Sequence, residues 1–307
     1  MNRVLVVGEL NVDLILQGYS AFPTLGKEVL ADDFVMTLGS ASAICAMGLA
    51  RLGAPVGFLS KVGRDPWGDY CVQALARAGI DVTRVERDAG LKTGVTVSIS
   101  SPKDRALVSF LGAISALRAV DVPDTAFAGF GHLHVSSYYL QQALRPDLPA
   151  LFERASRRGL TTSLDPGFDP QEAWGPEIRE ALRHADLFFP NEVELAALTR
   201  VSDPVAALRS LANGRTRVVA KLGAQGAVAL ENDAPVRVPA FPMTPVDTTG
   251  AGDSFDAGYL EAWLRGRPLV ECLARGAACG ALSARGAGGT ATQATAAEVD
   301  ALLRTRA

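Results

Sequence analysis

Short apolar runs alternate with longer stretches of helical period along most of the chain. V-L-V-V-G (4–8) reads as a buried strand. S-A-I-C-A-M-G-L-A-R-L-G (42–53) has an apolar helical pattern that Gly53 closes as a C-terminal cap. V-G-F-L-S-K-V-G (56–63) predicts a strand, and G-D-Y-C-V-Q-A-L-A-R-A-G (68–79) a helix. Residues 131–137, 161–166, 185–191 and 217–223 predict further strands with helices between them. After a small, polar stretch at 286–295, A-A-E-V-D-A-L-L (296–303) predicts a last helix. This βα rhythm implies an α/β fold with a mostly parallel sheet covered on both faces.

Two stretches break the rhythm. Residues 9–38 carry no helical pattern, and residues 93–112 alternate like a hairpin that turns at Pro102–Asp104. Together they predict a small separate sheet, read either as a lid over a cleft or as a plain edge hairpin. No internal repeat or low-complexity linker interrupts the 307 residues, which suit a single domain of this class.

Composition narrows the function more than the fold. Hydrophobic residues make up 48% and charged residues 21%, enough to build a sizeable core. A net charge of −3 gives no reason to expect nucleic acid or an acidic membrane as partner. Cys45, Cys71, Cys272 and Cys279 are scattered without a C-x-x-C, so neither a zinc site nor a disulfide framework is indicated. The opening strand leaves no room for a signal peptide, and no apolar run reaches membrane-spanning length. A cytoplasmic protein is the expectation.

The candidate chemistry centres on D-T-T-G-A-G-D-S-F (247–255), which stands just before a helical pattern. Tiny residues let a ligand approach the backbone, and N–H groups at a helix start attract an anion. An Asp beside such an anion hole suggests a proton acceptor next to a transferring phosphate. A glycine-rich turn with Asp253 as helix cap fits the spacing equally well. The common phosphate motifs are missing: there is no G-x-x-x-x-G-K-[ST], and no G-x-G-x-x-G in the first βα unit. G-x-S-x-G and H-E-x-x-H are also lacking, which removes esterase and zinc-protease readings.

D-T-T-G-A-G-D-S-F-D-A-G-Y-L (247–260) resembles the C-terminal signature of the ribokinase-like (PfkB) sugar and nucleoside kinases at every constrained position. G-E-L-N-V-D (8–13) resembles the family's opening strand, whose Asp grips substrate hydroxyls. P-N-E-V-E (190–194) resembles its N-x-x-E motif, and V-V-A-K-L-G-A-Q-G (218–226) its nucleotide-flanking strand and loop. The resemblance covers essentially the whole chain. It implies a three-layer ribokinase-like sandwich with a small β-sheet lid and an ATP-dependent phosphotransferase acting on a hydroxymethyl group. Asp253 is then the base, and Gly250, Ala251 and Gly252 form the anion hole. Asn191, Lys221, Gly223, Gly226 and Gly252 serve ATP. Glu194 reaches Mg²⁺ through water, a mode that suits an ion that keeps several waters. The pair Asn191 and Glu194 also reads as a reciprocal helix cap, and Lys221 as an edge lysine.

Asn11, Asp13, Gly39 and Ser40 are expected to hold the acceptor with Asp253. The family usually has two glycines and, four residues later, an Asn before an A-x-x-L-A-R-L-G-like helix. Here G-S-A-S-A-I (39–44) places Ser40 at the second Gly and Ile44 at the Asn. The acceptor therefore stays open among sugar, sugar acid and nucleoside. A nucleoside kinase of the same fold, or a regulator without catalysis, are the alternatives to a sugar kinase. The resemblance further implies a monovalent-cation (K⁺) site from Asp247, Thr249, Ala281, Ala284, Gly286 and Thr290. Lid-to-lid homodimers are the oligomer it favours. Outside the resemblance, His132 and His134 share one strand face without a third ligand, which makes them core or pocket groups and not a metal site. His134, Tyr138 and Asp165 are candidates to line the cleft.

Overall fold

The computed structural model describes residues 3–19, 21–100 and 105–306. Its first strand, β1 (Val4–Val7), lies inside a nine-stranded sheet. After it come β2 (Asn11–Gln17) and β3 (Asp33–Leu38), then helix α1 (Ala41–Arg51), β4 (Val56–Gly63), α2 (Pro66–Arg77) and β5 (Asp81–Asp88). The pair β6 (Gly94–Ser100) and β7 (Arg105–Phe110) precedes β8 (His132–Val135), α3 (Leu148–Arg157), β9 (Thr161–Leu164), α4 (Ile178–Leu182) and β10 (Leu187–Phe188). The chain continues through α5 (Glu192–Thr199), α6 (Pro204–Ser210), β11 (Arg217–Lys221), β12 (Ala227–Glu231) and β13 (Ala234–Val238). Three helices close it: α7 (Ala251–Leu264), α8 (Leu269–Ser283) and α9 (Ala296–Arg304).

The large sheet runs β13-β12-β11-β10-β9-β8-β1-β4-β5. It is parallel from β5 to β11, and β12 and β13 join antiparallel at the edge. Period-two alternation on β1 shows why helices must cover both faces. Val4 and Val6 enter one core with α1, α7 and α8, while Leu5 and Val7 enter the other with α3, α4 and α6.

The predicted elements recur with shifted ends. Gly53 sits one residue beyond the Leu52 cap of α1, at φ +84°. Helix α2 starts two residues before the expected position because Asp65 accepts from the Gly68 N–H at 2.8 Å and Pro66 takes the first turn. Two features escape the hydrophobic pattern. Strand β5 (D-V-T-R-V-E-R-D) is a charged sheet edge, a composition that discourages further pairing. The β12–β13 hairpin turns on Asn232 and Asp233 at φ +50° and +65°, the two left-handed residues of a tight hairpin.

The small sheet has the order β3-β2-β6-β7 and draws all four strands from the two stretches that break the rhythm. β2 pairs β6 in parallel, and the outer strands pair antiparallel. The hairpin turn expected at Pro102–Asp104 lies outside the described residues. No helix among those described is long and apolar enough to cross a membrane.

Candidate active site

The carboxyl ends of β1, β8, β9, β10 and β11 deliver Glu9, Ser137, Asp165, Asn191 and Lys221 to one edge of the large sheet. That edge is where an open α/β sheet leaves a crevice. The inner face of the small sheet closes over it. Together they form a cavity of about 210 Å³ lined by Asn11, Asp13, Ser40, Thr249, Gly250 and Asp253, among others.

Gly250 caps α7 in the left-handed region, at φ +71°. A Cβ there would lie 2.7 Å from the Gly289 Cα and 2.9 Å from the Ile44 Cγ2, so conformation and space both demand glycine. The Ala251 N–H donates to the Thr248 carbonyl at 3.2 Å. Asp253 follows in the first turn of α7, half-buried at the cavity floor. Removal from water, with the nearby negative charge of Asp165, pushes its carboxyl up to about 7.

On the small-sheet side of the cavity, Asn11 Nδ2 donates to Asp13 Oδ1 at 3.1 Å. Gly39 packs directly on this pair: a Cβ would fall 2.1 Å from Asp13 Oδ1. Ser40 occupies φ +73°, a conformation that explains why a glycine is at home there. Its hydroxyl compensates by donating to the Glu9 carbonyl at 2.5 Å and accepting from the Ala43 N–H at 3.1 Å. Ile44 is 3% exposed and sits between the cavity, Gly250 and Gly289.

Glu9 is the residue that motif reading passed over, although it stands inside the quoted G-E-L-N-V-D. Its carboxylate accepts from the Ser42 N–H (3.1 Å), the Ser42 hydroxyl (2.5 Å) and the Ser137 hydroxyl (2.8 Å). Burial pushes its carboxyl upward. A Gly-Glu pair before the first polar strand was the available signal.

Asn191 and Glu194 realise the reciprocal cap of α5. Asn191 Oδ1 accepts from the Glu194 N–H at 2.9 Å, and Glu194 Oε2 from the Asn191 N–H at 2.8 Å. Burial, and then Asp165, push the Glu194 carboxyl up to about 7. Gly223 and Gly226 flank the adjacent loop at φ +54° and +91°. Lys221, read from the sequence as a phosphate contact or an edge lysine, turns its ammonium under α7, 2.5 Å from Asp165 Oδ2.

The two segments of the expected cation site meet. The Val246 N–H donates to the Ala284 carbonyl at 2.8 Å, and the Gly288 N–H to Asp247 Oδ2 at 2.9 Å. Asp247 Oδ1 also accepts from the Thr249 N–H and hydroxyl at 2.9 and 2.7 Å. The Ala281 carbonyl accepts from the Ala284 N–H, Gly286 packs against Thr292, and the Thr290 hydroxyl faces Thr37 of β3 at 3.5 Å.

Three cleft-lining candidates are corrected. His134 and Tyr138 do not line the cavity. Tyr138 packs in the core against Tyr139. The chain of hydrogen bonds Thr161–His132–Ser163–His134–Ser136 runs through the interior at 2.7–2.8 Å. Burial lowers the two imidazoles to about 3 and about 4, so both are neutral core groups. Asp165 is buried beneath the cavity and not in its wall.

Residues 1–296 match the pfkB family carbohydrate kinases. The chain belongs to that family. An ATP-dependent ribose-1-phosphate kinase of Halopiger xanaduensis is 31% identical over 308 residues, covering 100% of this chain and 99% of the relative. A fructokinase double mutant of Vibrio cholerae, solved with fructose, ADP and potassium, superposes with a TM-score of 0.83. It is 26% identical, over 99% of this chain and 98% of the other. An E. coli protein solved with ATP and Mg²⁺ shares the fold at a TM-score of 0.86, with 24% identity over 99% and 100% of the two chains. A pfkB carbohydrate kinase is an ATP-dependent phosphotransferase acting on a sugar hydroxyl, and that is this chain's class of reaction.

Proposed function

We propose that this kinase moves the γ-phosphoryl group of Mg·ATP to a hydroxymethyl group of a small sugar or sugar derivative held between Asn11, Asp13 and Asp253. The observation that carries this reading is the convergence of Asp253 and the left-handed Gly250 with Asn11 and Asp13 in one cavity. Asp13 and Asn11 accept and donate hydrogen bonds to acceptor hydroxyls. Asp253 takes the proton of the attacking hydroxyl, which becomes the new ester oxygen. The N–H groups at the start of α7 face the charge on the transferring group, and the helix dipole adds to them. Gly223 leaves the nucleotide room beside β11, while Gly226, whose Cβ would fall 1.9 Å from the Val238 carbonyl oxygen, lets the loop pack on the end of β13. The inner face of the small sheet excludes water from the cavity.

Mg²⁺ supplies charge neutralisation on the phosphates when bound with ATP. Glu194 fits it: Oε2 is held by the Asn191 N–H, which leaves Oε1 to orient a metal-bound water. For K⁺, the Asp247 carboxylate is the anchor. It holds Thr249 and Gly288 together right before Gly250, so a cation there would order the anion hole.

The outer face of the small sheet supports a homodimer. Register aligns Phe34–Leu16–Ile99–Ala106, Met36–Leu14–Val97–Val108 and Leu38–Val12–Val95–Phe110 across the four strands. Phe34, Val108 and Phe110 are more than half exposed, an apolar patch that a second lid would cover.

The deciding experiment is ATP turnover with ribose, fructose, 2-deoxyribose, ribose 1-phosphate, 2-dehydro-3-deoxygluconate and a nucleoside as acceptors. Acceptor-dependent ADP formation with one of the sugars or sugar derivatives is expected. Turnover of the nucleoside alone favours the nucleoside kinase, and no turnover beyond buffer favours a binding protein.

A further inference from the structure

Three elements bring buried charges together under the cavity floor. Lys221, at the end of β11, places Nζ 2.5 Å from Asp165 Oδ2, just past β9. The same nitrogen lies 3.2 and 3.3 Å from the two Asp256 oxygens on α7. Carboxylate oxygens of Asp165, Asp253 and Asp256 all fall within 4.8 Å of one another. Such a trio could resemble a cation site, but the Lys221 ammonium already stands among them.

The ammonium is also pressed against the first turn of α7. Nζ is 3.4 Å from where a Cβ on Gly252 would be. The backbone of Lys221 bridges to Asn191, and its N–H donates to the Pro190 carbonyl at 3.0 Å. One residue therefore ties the ends of β9 and β11, the cap of α5 and the start of α7.

We propose that Lys221 is a positioning residue for phosphoryl transfer: its buried ammonium holds Asp165 and Asp256 beneath α7 and keeps Asp253 an ionised carboxylate at the cavity floor. The proposal rests on Asp253 being the base. Its physical content is charge balance. The groups that act on Asp253 are Asp165 after β9, Glu9 after β1, Glu194 on α5, the buried Cys45 thiol on α1, Asp256 on its own helix and Lys221. Four are carboxyl groups, and Lys221 is the single cation of the set. Low-dielectric surroundings amplify each of these interactions. Burial already holds the Asp256 carboxyl well above its usual range beside Asp165, so without Lys221 the charge of Asp165 acts on Asp253 uncompensated and favours its protonated form, which accepts no proton. The ammonium's three close contacts all go to Asp165 and Asp256, which is why a direct phosphate contact is not its role here.

The test compares K221M, K221R, D165N and D253N, using the acceptor with the highest turnover in the panel above. The readout is the acid limb of kcat/KM against pH, with melting temperature as a check on folding. K221M is expected to lose at least about tenfold in kcat at pH 7 and to move the acid limb up by roughly one pH unit. D165N is expected to move it down by roughly one, because opposite and like charges at this distance shift a carboxyl in opposite directions. K221R restores the limb toward its starting position. Losses in K221M and D165N with both limbs unmoved mean a merely structural cluster and overturn the proposal. Should K221M not fold, a folded D165N with an unmoved limb overturns it alone. An inactive D253N beside an unaffected K221M removes only this inference. An active D253N removes the base assignment, and this inference with it.

Discussion

At Asp253, two roles make opposite forecasts for one substitution. As general base, Asp253→Asn keeps the shape and removes the proton acceptor, so kcat should fall by ~10²–10⁴-fold. Nucleotide Kd should hold or tighten, since a negative charge beside the phosphates is gone. As a mere helix cap, Asn replaces Asp with little effect, and kcat would stay near normal. Steady-state kinetics, nucleotide Kd and Tm measured together separate the two. Ser40 allows a similar contrast on stability. Its left-handed φ of +73° strains a residue that bears a Cβ, while its hydroxyl caps α1. Ser40→Gly removes both the strain and the cap and should leave stability within about 1 kcal/mol of the parent. Ser40→Ala keeps the strain, loses the cap and should cost ~1–2 kcal/mol in denaturant unfolding. Ile44 bears on specificity. It lines the cavity with its methyl groups against Gly250 and Gly289, at the position where the family pattern expects Asn, so poor turnover of ribose and fructose is expected. Ile44→Asn should raise kcat/KM on ribose by up to ~10-fold, the worth of one added hydrogen bond. Ribose turnover at the level of a dedicated ribokinase in the parent chain would remove Ile44 from this role.

The small sheet is where element-level physics and function meet. Its period of two sends Asp13, Ile15, Thr96, Ser98 and Ser109 to the cavity and the rows through Phe34 and Met36 to the outside, while Val12 and Leu38 join the main core. A charge on the outer face should break the proposed dimer without touching the cavity. Val108→Asp is expected to give monomers in sedimentation velocity where the parent sediments as a dimer; a parent that is monomeric at tens of micromolar refutes the interface. The loop pair 247–249 and 284–290 makes a second element-level forecast. If Asp247 anchors a monovalent cation, K⁺ should raise kcat by ordering the turn before Gly250. Equal rates in K⁺ and in tetramethylammonium, at matched ionic strength, would count against the site.

For the molecule as a whole, the raised carboxyls at Asp253 and Glu194 make activity and stability respond to pH in opposite senses. Both groups sit near 7 in the fold, against ordinary values near 4 when unfolded. At these two carboxyls the folded chain binds more protons than the unfolded chain between about pH 4 and about pH 7, so their contribution to unfolding free energy falls as pH rises; the buried neutral His132 and His134 oppose it only below about 6.5. The ligand-free protein should therefore melt at a lower temperature at pH 8 than at pH 5.5, and Asp253→Asn should flatten that slope. Turnover runs the other way, because a base must be ionised, and kcat/KM should climb through pH 7. A Tm independent of pH in both proteins would contradict the buried-carboxyl account.

How much of this was readable before folding follows from the range of each interaction. The βα rhythm, the two stretches that form the small sheet, and the 247–260 segment are local: each depends on side-chain period or on neighbours within one turn. Asp253 and Gly250 could be singled out because glycine requirements and helix starts act over a few residues. Strands β5 and β13 were missed because an edge strand buries too little apolar surface to leave a clear period. Lys221 shows the other limit. From the sequence it is a lone lysine beside a glycine; its partners Asp165 and Asp256 lie 56 and 35 residues away. Glu9 likewise finds Ser137 only across 128 residues. Which charges share a buried space, and hence which carboxyl stays ionised, is settled by the sheet order that brings the carboxyl ends of β1, β9 and β11 under one helix. Electrostatics in a dry interior depends on distances through space, and the linear order of residues does not contain them.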